Sequence, residues 1–250
     1  MEQLHENVKK VADLITESNH TVVFTGGGIT AEDYNQNLSS STKNLPVMVA
    51  PEDFTIRRFK DDPLSFYEEG EPFFSMIYQL EPNEVHTSLA ELEKQGLVKA
   101  IITDNIDGLQ KKAGAKQVLE IRGTLRSASC AECKRQVSID DLLANAGEKE
   151  FLPLCPDCGE MLRPDVVFSD ETLPPDFHTA KEEVKKADLM VIIGSSMENS
   201  PENQLAGECK NLVVINQGST VYDRQAKVVI HADLKKVMKL LLEELNNRKS

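Results

Sequence analysis

The fold of this chain is decided by the stretch Thr21-Val22-Val23-Phe24-Thr25-Gly26-Gly27-Gly28-Ile29-Thr30, in which a short apolar run ends in three glycines. A run of β-branched and aromatic residues is typical of a buried strand. Glycines directly after such a strand let backbone N–H groups approach a pyrophosphate closely, which favours a nucleotide site at the end of the strand. A Gly-Gly-Gly turn is equally often only a tight connection, so both interpretations stay open at this point.

Further apolar runs extend this first strand into a sheet. They are Ala100–Thr103, Leu189–Ile193, Leu212–Ile215 and Val228–Ile230. Apolar residues at helical spacing alternate with these runs, from Leu4, Val8, Val11 and Ile15 near the start to a stripe between Leu234 and Leu245 at the end. Continuously apolar strands separated by helices predict an α/β fold with a parallel sheet that helices cover on both faces.

Two later strand ends are polar. Gly194, Ser195 and Ser196 follow one apolar run, and Asn216 and Gln217 follow the next. The carboxyl ends of parallel strands meet at one edge of a sheet, where ligands bind. Three strand ends therefore carry groups suited to phosphate and ribose, and together they favour a dinucleotide site.

Two segments interrupt the alternation of strands and helices. Residues 124–162 contain four of the five cysteines and are predicted to form a small inserted module. Residues 31–82 are rich in polar, acidic and proline residues and include Ser39-Ser40-Ser41. We expect this second segment to be a flexible or helical insertion near the ligand.

The cysteines of the inserted module form two Cys-x-x-Cys pairs, Cys130 with Cys133 and Cys155 with Cys158. Two such pairs supply the four thiolates of a closed tetrahedral zinc site, which has no open position for water and is therefore structural. The spacer of 21 residues between the pairs is slightly longer than the usual ~15–20. The alternatives are two disulfides or four free thiols. Cys209 stands apart and is expected to be a buried apolar residue.

Composition limits the classes of function. The formal net charge of −13 repels phosphate backbones, so nucleic acid is not expected as a partner. The chain starts with neither a basic nor an apolar segment, and no stretch reaches the ~20 apolar residues of a membrane span. We therefore expect no secretion and no membrane insertion, and a cytoplasmic location.

An ordered set of motifs resembles the sirtuins, the NAD-dependent lysine deacylases. The motifs are Thr103-Asp104-Asn105-Ile106-Asp107-Gly108-Leu109, Ala113-Gly114, Glu120-Ile121-Arg122-Gly123-Thr124, the two Cys-x-x-Cys pairs, Leu162-Arg163-Pro164-Asp165-Val166-Val167, Gly194-Ser195-Ser196 and Val214-Ile215-Asn216. Their order and spacing, with the cysteine module between them, are much more specific than any single motif.

The resemblance implies a Rossmann-type NAD-binding domain built from residues 1–30, 83–123 and 163–250, a zinc-binding module at 124–162 and the insertion at 31–82. It also implies NAD and structural zinc as cofactors and an acyl-lysine protein or peptide as the possible partner. The residues it assigns to the cofactor are Gly26, Gly27, Gly28, Thr30, Asn105, Asp107, Gly194, Ser195, Ser196, Asn216 and Gln217. Those it assigns to the substrate are Val167, Phe168, Ser169 and Asn199.

The catalytic positions depart from the family. Arg122 replaces the histidine of a His-Gly pair that is the family's general base, and a guanidinium stays protonated in proteins and cannot accept the proton of a ribose hydroxyl. The family's Gln-Asn-Ile-Asp reads Asp104-Asn105-Ile106-Asp107. We predict a charge-assisted hydrogen bond between Asp104 and Arg122; the rival hypothesis makes Asp104 a substitute general base. Each residue also has a simpler structural interpretation. Arg122 would be an ordinary surface arginine, Asp104 would cap the end of a strand, and Asp107 would be the carboxylate of a turn.

Neighbouring loops also differ from the motifs of the family. The family's Gly-Ile-Pro-Asp-Phe-Arg lid has no counterpart after Ile29, and its Val-Val-Phe-Phe-Gly-Glu reads Val166-Val167-Phe168-Ser169-Asp170-Glu171. The loop that resembles Ser-Leu-x-Val-x-Pro-Ala runs from Ser196 to Glu202. We therefore expect an NAD-binding protein with weak or absent ordinary deacetylase activity. The alternatives are an active deacylase or mono-ADP-ribosyltransferase that uses non-standard residues, and an inert NAD or ADP-ribose sensor.

Overall fold

Two sheets organise the protein in the computed structural model, which describes residues 2–30, 55–144, 150–199 and 201–248. The strands are β1 (Thr21–Thr25), β2 (Ala100–Thr103), β3 (Val118–Glu120), β4 (Gly123–Cys130), β5 (Gln136–Ser138), β6 (Leu162–Val166), β7 (Leu189–Ile193), β8 (Leu212–Ile215) and β9 (Val228–Ile230). The large sheet is parallel and has the strand order β3-β2-β1-β7-β8-β9. The predicted parallel sheet is confirmed.

Helices cover both faces of the large sheet. The helices are α1 (Glu2–Glu17), α2 (Ile56–Asp61), α3 (Pro63–Gln79), α4 (Glu84–Lys94), α5 (Leu109–Lys112), α6 (Ile139–Leu142), α7 (Pro175–Lys186), α8 (Glu202–Gly207) and α9 (Leu234–Asn247). Val23 of β1 packs with α1, α4 and α9 on one face, and Phe24 packs with α7 and α8 on the other. Side chains alternate between the faces of a strand, and both faces are apolar here, which explains the continuous apolar runs. None of the described helices has the length and apolar character needed to span a bilayer.

The small sheet is antiparallel, with the order β5-β4-β6. An aromatic cluster from α2 and α3 packs on it: Phe59 stacks on Phe168 with ring centroids 5.6 Å apart, and the Tyr67 hydroxyl donates a hydrogen bond to the Leu162 carbonyl. The described part of the segment 31–82 is thus largely helical and belongs to the core of the small sheet. Residues 31–54, where the altered lid falls, lie outside the described residues.

The strand order creates a crevice between β1 and β7. The chain proceeds from β1 outward to β2 and β3, and later from β7 outward to β8 and β9, so the direction of winding reverses between the two central strands. Ligands of such sheets bind at the carboxyl end of this switch point. There the N–H of Gly28 donates to the Gly194 carbonyl at 2.7 Å, and a Cβ on Gly28 would lie only 2.6 Å from that oxygen. Glycine is required at this position because the two backbones touch.

The two sheets are joined directly after Arg122. Gly123 begins β4 with φ +73°, and a Cβ there would lie 2.2 Å from the Asp165 carbonyl oxygen of β6. The N–H of Val167 donates to the Arg122 carbonyl at 2.9 Å. Arg122 therefore lies at the junction of the large and small sheets.

Candidate active site and metal centre

The four paired cysteines converge at one point. The sulfurs of Cys130, Cys133, Cys155 and Cys158 all lie within 4.8 Å of one another. Two of the sulfur pairs are 3.5 Å apart, too far for a disulfide bond, and all five cysteines are free thiols. A zinc ion bonded to four sulfurs at about 2.3 Å would hold them roughly 3.8 Å apart. The cluster therefore fits structural zinc, as predicted, and not the disulfide alternative.

The two Cys-x-x-Cys pairs have the same backbone turn. The N–H of Cys130 donates to the Arg135 carbonyl at 2.8 Å, and the N–H of Cys155 donates to the Glu160 carbonyl at 2.7 Å, five residues onward in each case. The residue before each acceptor has a left-handed backbone: Lys134 with φ 64° and Gly159 with φ 77°. This tight turn brings both thiols of a pair to the same side. No coordination position is left for water, so the metal would hold structure only.

Three strand ends meet at the crevice as the sequence predicted. Gly26, Gly27 and Gly28 follow β1, and the N–H of Gly26 donates to the Ile193 carbonyl of β7 at 3.2 Å. Gly194, with φ +66°, Ser195 and Ser196 follow β7, and Asn216 and Gln217 follow β8. The Ser195 hydroxyl accepts a hydrogen bond from the Met197 N–H, and the Asn216 amide donates to the Gly218 carbonyl. These groups line one edge and suit a dinucleotide.

A buried hydrogen-bond network holds the two family-like polar residues after β2. The Thr30 hydroxyl donates to Asp107 Oδ2 at 3.1 Å, and the Asn105 amide donates to the Thr30 hydroxyl at 3.3 Å. Asp107 Oδ1 also accepts the Leu109 N–H at 2.9 Å, as a turn carboxylate does. Burial is the largest influence on Asp107 and raises the pKa of its carboxyl. Thr30, Asn105 and Asp107, which the resemblance assigns to the cofactor, are thus hydrogen-bonded to one another.

Arg122 forms an ion pair with Glu202, the first residue of α8, and not with Asp104. Arg122 Nη2 contacts Glu202 Oε1. The Glu202 side chain is 3% exposed and that of Arg122 is 30% exposed. Neither Glu202 oxygen accepts a hydrogen bond of regular geometry from the described residues, so the contact is ionic. The predicted bond between Asp104 and Arg122 is therefore replaced by a pair with a different carboxylate.

Asp104 lies next to this ion pair without joining it. Its N–H donates to the Thr25 carbonyl at 3.3 Å, and the same backbone N–H also acts on the Asp104 carboxylate, where it favours the ionised form less strongly than burial opposes it. Burial, and then the negative charge of Glu202, raise the pKa of Asp104 from 3.8 to about 7, against a smaller lowering influence of Arg122. A carboxyl with such a pKa can take up and release a proton near neutral pH.

The predicted substrate residues differ in exposure. Val167 is half-buried and its N–H is bonded to Arg122, as described above, while Ser169 and Asn199 are exposed. The Phe168 ring is fully buried in the aromatic cluster, under the Arg163 guanidinium at 4.8 Å from the ring centroid.

Glu202 is the residue that sequence analysis missed. A signal existed: the motif that ends in Pro-Ala in the family ends here in Pro201-Glu202. Compared with the family motifs, Glu202 adds a negative charge in one cleft motif and Arg122 adds a positive charge in another, which indicates a compensating ion pair. Arg122 and Glu202 are 80 positions apart in the sequence, so the relation could be recognised only once the fold brought them together.

Comparison with known proteins agrees with this architecture. The Sir2 family model matches residues 26–201. The chain belongs to the Sir2 family. A curated sirtuin named NAD-dependent protein deacetylase 2, from Caldanaerobacter subterraneus subsp. tengcongensis, is 40% identical over 223 residues, which cover 89% of each chain. The NAD-dependent protein deacetylase of Sulfolobus acidocaldarius is 34% identical over 91% of this chain and 90% of its own.

Solved sirtuin structures share the fold. A Sir2 structure bound to a propionylated peptide superposes with a TM-score of 0.81 at 31% identity, over 95% of this chain and 98% of that chain. A Sir2 complex with a p53 peptide and NAD+ superposes with a TM-score of 0.80 at 31% identity, over 96% and 99% of the two chains. The α/β architecture with an embedded four-cysteine module is therefore that of sirtuins, which use NAD.

Proposed function

We propose that this sirtuin binds NAD at the carboxyl edge of its parallel sheet, accepts an acyl-lysine protein or peptide, and has weak or absent ordinary lysine deacetylase activity. The relatives named above are NAD-dependent deacetylases, and solved neighbours hold acylated peptides or NAD. The strand-end glycines, Ser195 and Asn216 of this chain are groups that bind phosphate and ribose. The preserved Asn105 and Asp107 favour retention of the nicotinamide side of the site.

Arg122 carries the proposal of weak activity. It occupies the position that the resemblance assigns to the general-base histidine, and Glu202 holds its guanidinium in an ion pair. A guanidinium does not release its proton at physiological pH, so it cannot act as the base. Loss of a general base costs about 10²–10⁴ in rate. Nicotinamide release depends mainly on positioning and electrostatic stabilisation, so that step does not require the missing histidine.

The test separates the three possible outcomes by their products. Purified zinc-loaded protein is incubated with NAD and an acetyl-lysine peptide, with the unacetylated peptide as the matched control, and products are identified by mass spectrometry. We expect nicotinamide and O-acyl-ADP-ribose at a rate at least about 10²-fold below that of a sirtuin with histidine at this position. ADP-ribosylated protein would instead identify a transferase, and bound but intact NAD a sensor. A rate within tenfold of the histidine enzyme would refute the proposal.

A cytoplasmic location is part of the proposal. Thiols that ligate zinc must stay reduced, and the cytosol keeps thiols reduced. The four clustered cysteines support this location. Fractionation of cells that express the native protein tests it, and recovery outside the cytoplasm would refute it.

A further inference from the structure

Three charged side chains meet at the carboxyl edge of the large sheet. Asp104 follows β2 and Arg122 follows β3, and these neighbouring strands are paired in register, with Thr103 opposite Glu120. Glu202 approaches from α8. The other charged group that acts on Asp104 is Asp107, from the loop before α5. Within the residues that the structure describes, Arg122, Glu202 and Asp107 are the charged groups that act on the Asp104 carboxyl.

The contacts of Arg122 decide what Asp104 can do. Arg122 is the positively charged group that acts on Asp104, and a carboxylate that pairs with an arginine stays ionised and bonded to it. Glu202 prevents this by holding the guanidinium. Because the Glu202 side chain is almost fully buried, solvent screens its negative charge only weakly. Its charge therefore also opposes ionisation of Asp104.

We propose that Glu202 is a positioning residue, which holds Arg122 away from Asp104 and thereby makes Asp104 the proton acceptor for a ribose hydroxyl in this cleft. The inference rests on the proposed NAD chemistry and deepens it. A carboxylate oxygen of Asp104 accepts the proton: the O–H bond on the ribose breaks, an O–H bond on the carboxyl forms, and the electron pair of the broken bond stays on the ribose oxygen. Solvent at the cleft mouth takes the proton afterwards.

Titration of Asp104 in the free protein tests the positioning role directly. Carboxyl carbons of ¹³C-labelled, zinc-loaded protein are followed by NMR against pH in the wild type, Asp104→Asn and Glu202→Gln. Glu244→Gln is the matched control, since Glu244 also pairs with an arginine, Arg248, but on α9. We expect one signal with a midpoint near 7 in the wild type and the control. It should vanish in Asp104→Asn, and in Glu202→Gln its midpoint should fall by about one pH unit or more, because Arg122 is released toward Asp104.

A double variant separates positioning from mere stability. Glu202→Gln with Arg122→Gln removes both charges, so the midpoint of Asp104 should return toward that of the wild type. The double variant also leaves no unpaired buried charge, which keeps the test valid if Glu202→Gln alone does not fold. A midpoint that stays low in the double variant would refute the role of Arg122. An unchanged midpoint in Glu202→Gln, or ordinary carboxyl titration of Asp104 in the wild type, would overturn the inference.

The catalytic part has its own measurement. With NAD and acetyl peptide, formation of O-acyl-ADP-ribose should rise with pH through the same midpoint, and Asp104→Asn should lower it by about 10²-fold with NAD affinity nearly unchanged. A full rate in Asp104→Asn would refute Asp104 as the acceptor and leave the proposed function intact. Failure of the wild type to bind NAD, with the expected titration in all variants, would instead refute the proposed function.

Discussion

The raised pKa of Asp104 makes stability depend on pH in a way that one substitution can isolate. The folded-state pKa is about 7, against an ordinary value of 3.8. The folded protein therefore binds a proton that the unfolded chain has lost, and stability contributed by the neutral carboxyl is lost as pH rises from about 4 through 7. The difference of about 3 pH units corresponds to about 4 kcal/mol at most. Asp104→Asn removes this dependence because asparagine stays neutral.

The predicted change in the free energy of unfolding can be measured over a pH range in which zinc stays bound to its cysteines. Between about pH 5.5 and about pH 8.5, the stability of the wild type relative to Asp104→Asn should fall by about 2 kcal/mol. Urea unfolding in saturating zinc measures it, and the dependence of other carboxyls cancels in the difference. Asp61→Asn, an exposed carboxylate of α2, is the control. A difference that is flat with pH, or that rises, would refute the account of a buried, protonatable Asp104.

Three further predictions follow from the metal site, the ion pair and the sheet junction. Cys155→Ser should lose stoichiometric zinc and unfold at lower temperature; metal analysis and calorimetry test this, and retained zinc would contradict it. Arg122→His should destabilise by about 3–5 kcal/mol because it leaves the Glu202 carboxylate buried without its partner, whereas the same change with Glu202→Ala should recover most of that loss in urea unfolding. Gly123→Ala should lower the melting temperature much more than Gly96→Ala, which has the same φ of +73° but no atom within 4 Å of the added Cβ; equal effects would argue against the steric constraint.

The fold and the metal site could be predicted because their signals are local or come from spacing. Strands such as Leu189–Ile193 are apolar on both faces, and the two Cys-x-x-Cys pairs specify a closed site wherever they meet. The partner of Arg122 could not be predicted in this way. Asp104 is closer in sequence and directly follows the neighbouring strand β2, but pairing depends on side-chain direction and on where α8 begins. The aromatic packing of Phe59 on Phe168 was hidden for the same reason, since the two residues are joined only by tertiary contact.

Arg122, Glu202 and Asp104 are best understood as one set of charges. With an apolar residue at position 202, the Arg122 guanidinium would have no other partner, so it would pair with Asp104 and keep that carboxyl ionised. Glu202 with a neutral side chain at position 122 would bury an anion alone, which costs several kcal/mol. Together they form an ion pair, and the cleft keeps the Asp104 carboxyl, whose pKa burial and the Glu202 charge raise to about 7. In the proposed arrangement, Asp104 after β2 takes the proton-accepting role that Arg122 cannot fill, so restoring histidine alone adds a base to a site whose charges are arranged for another.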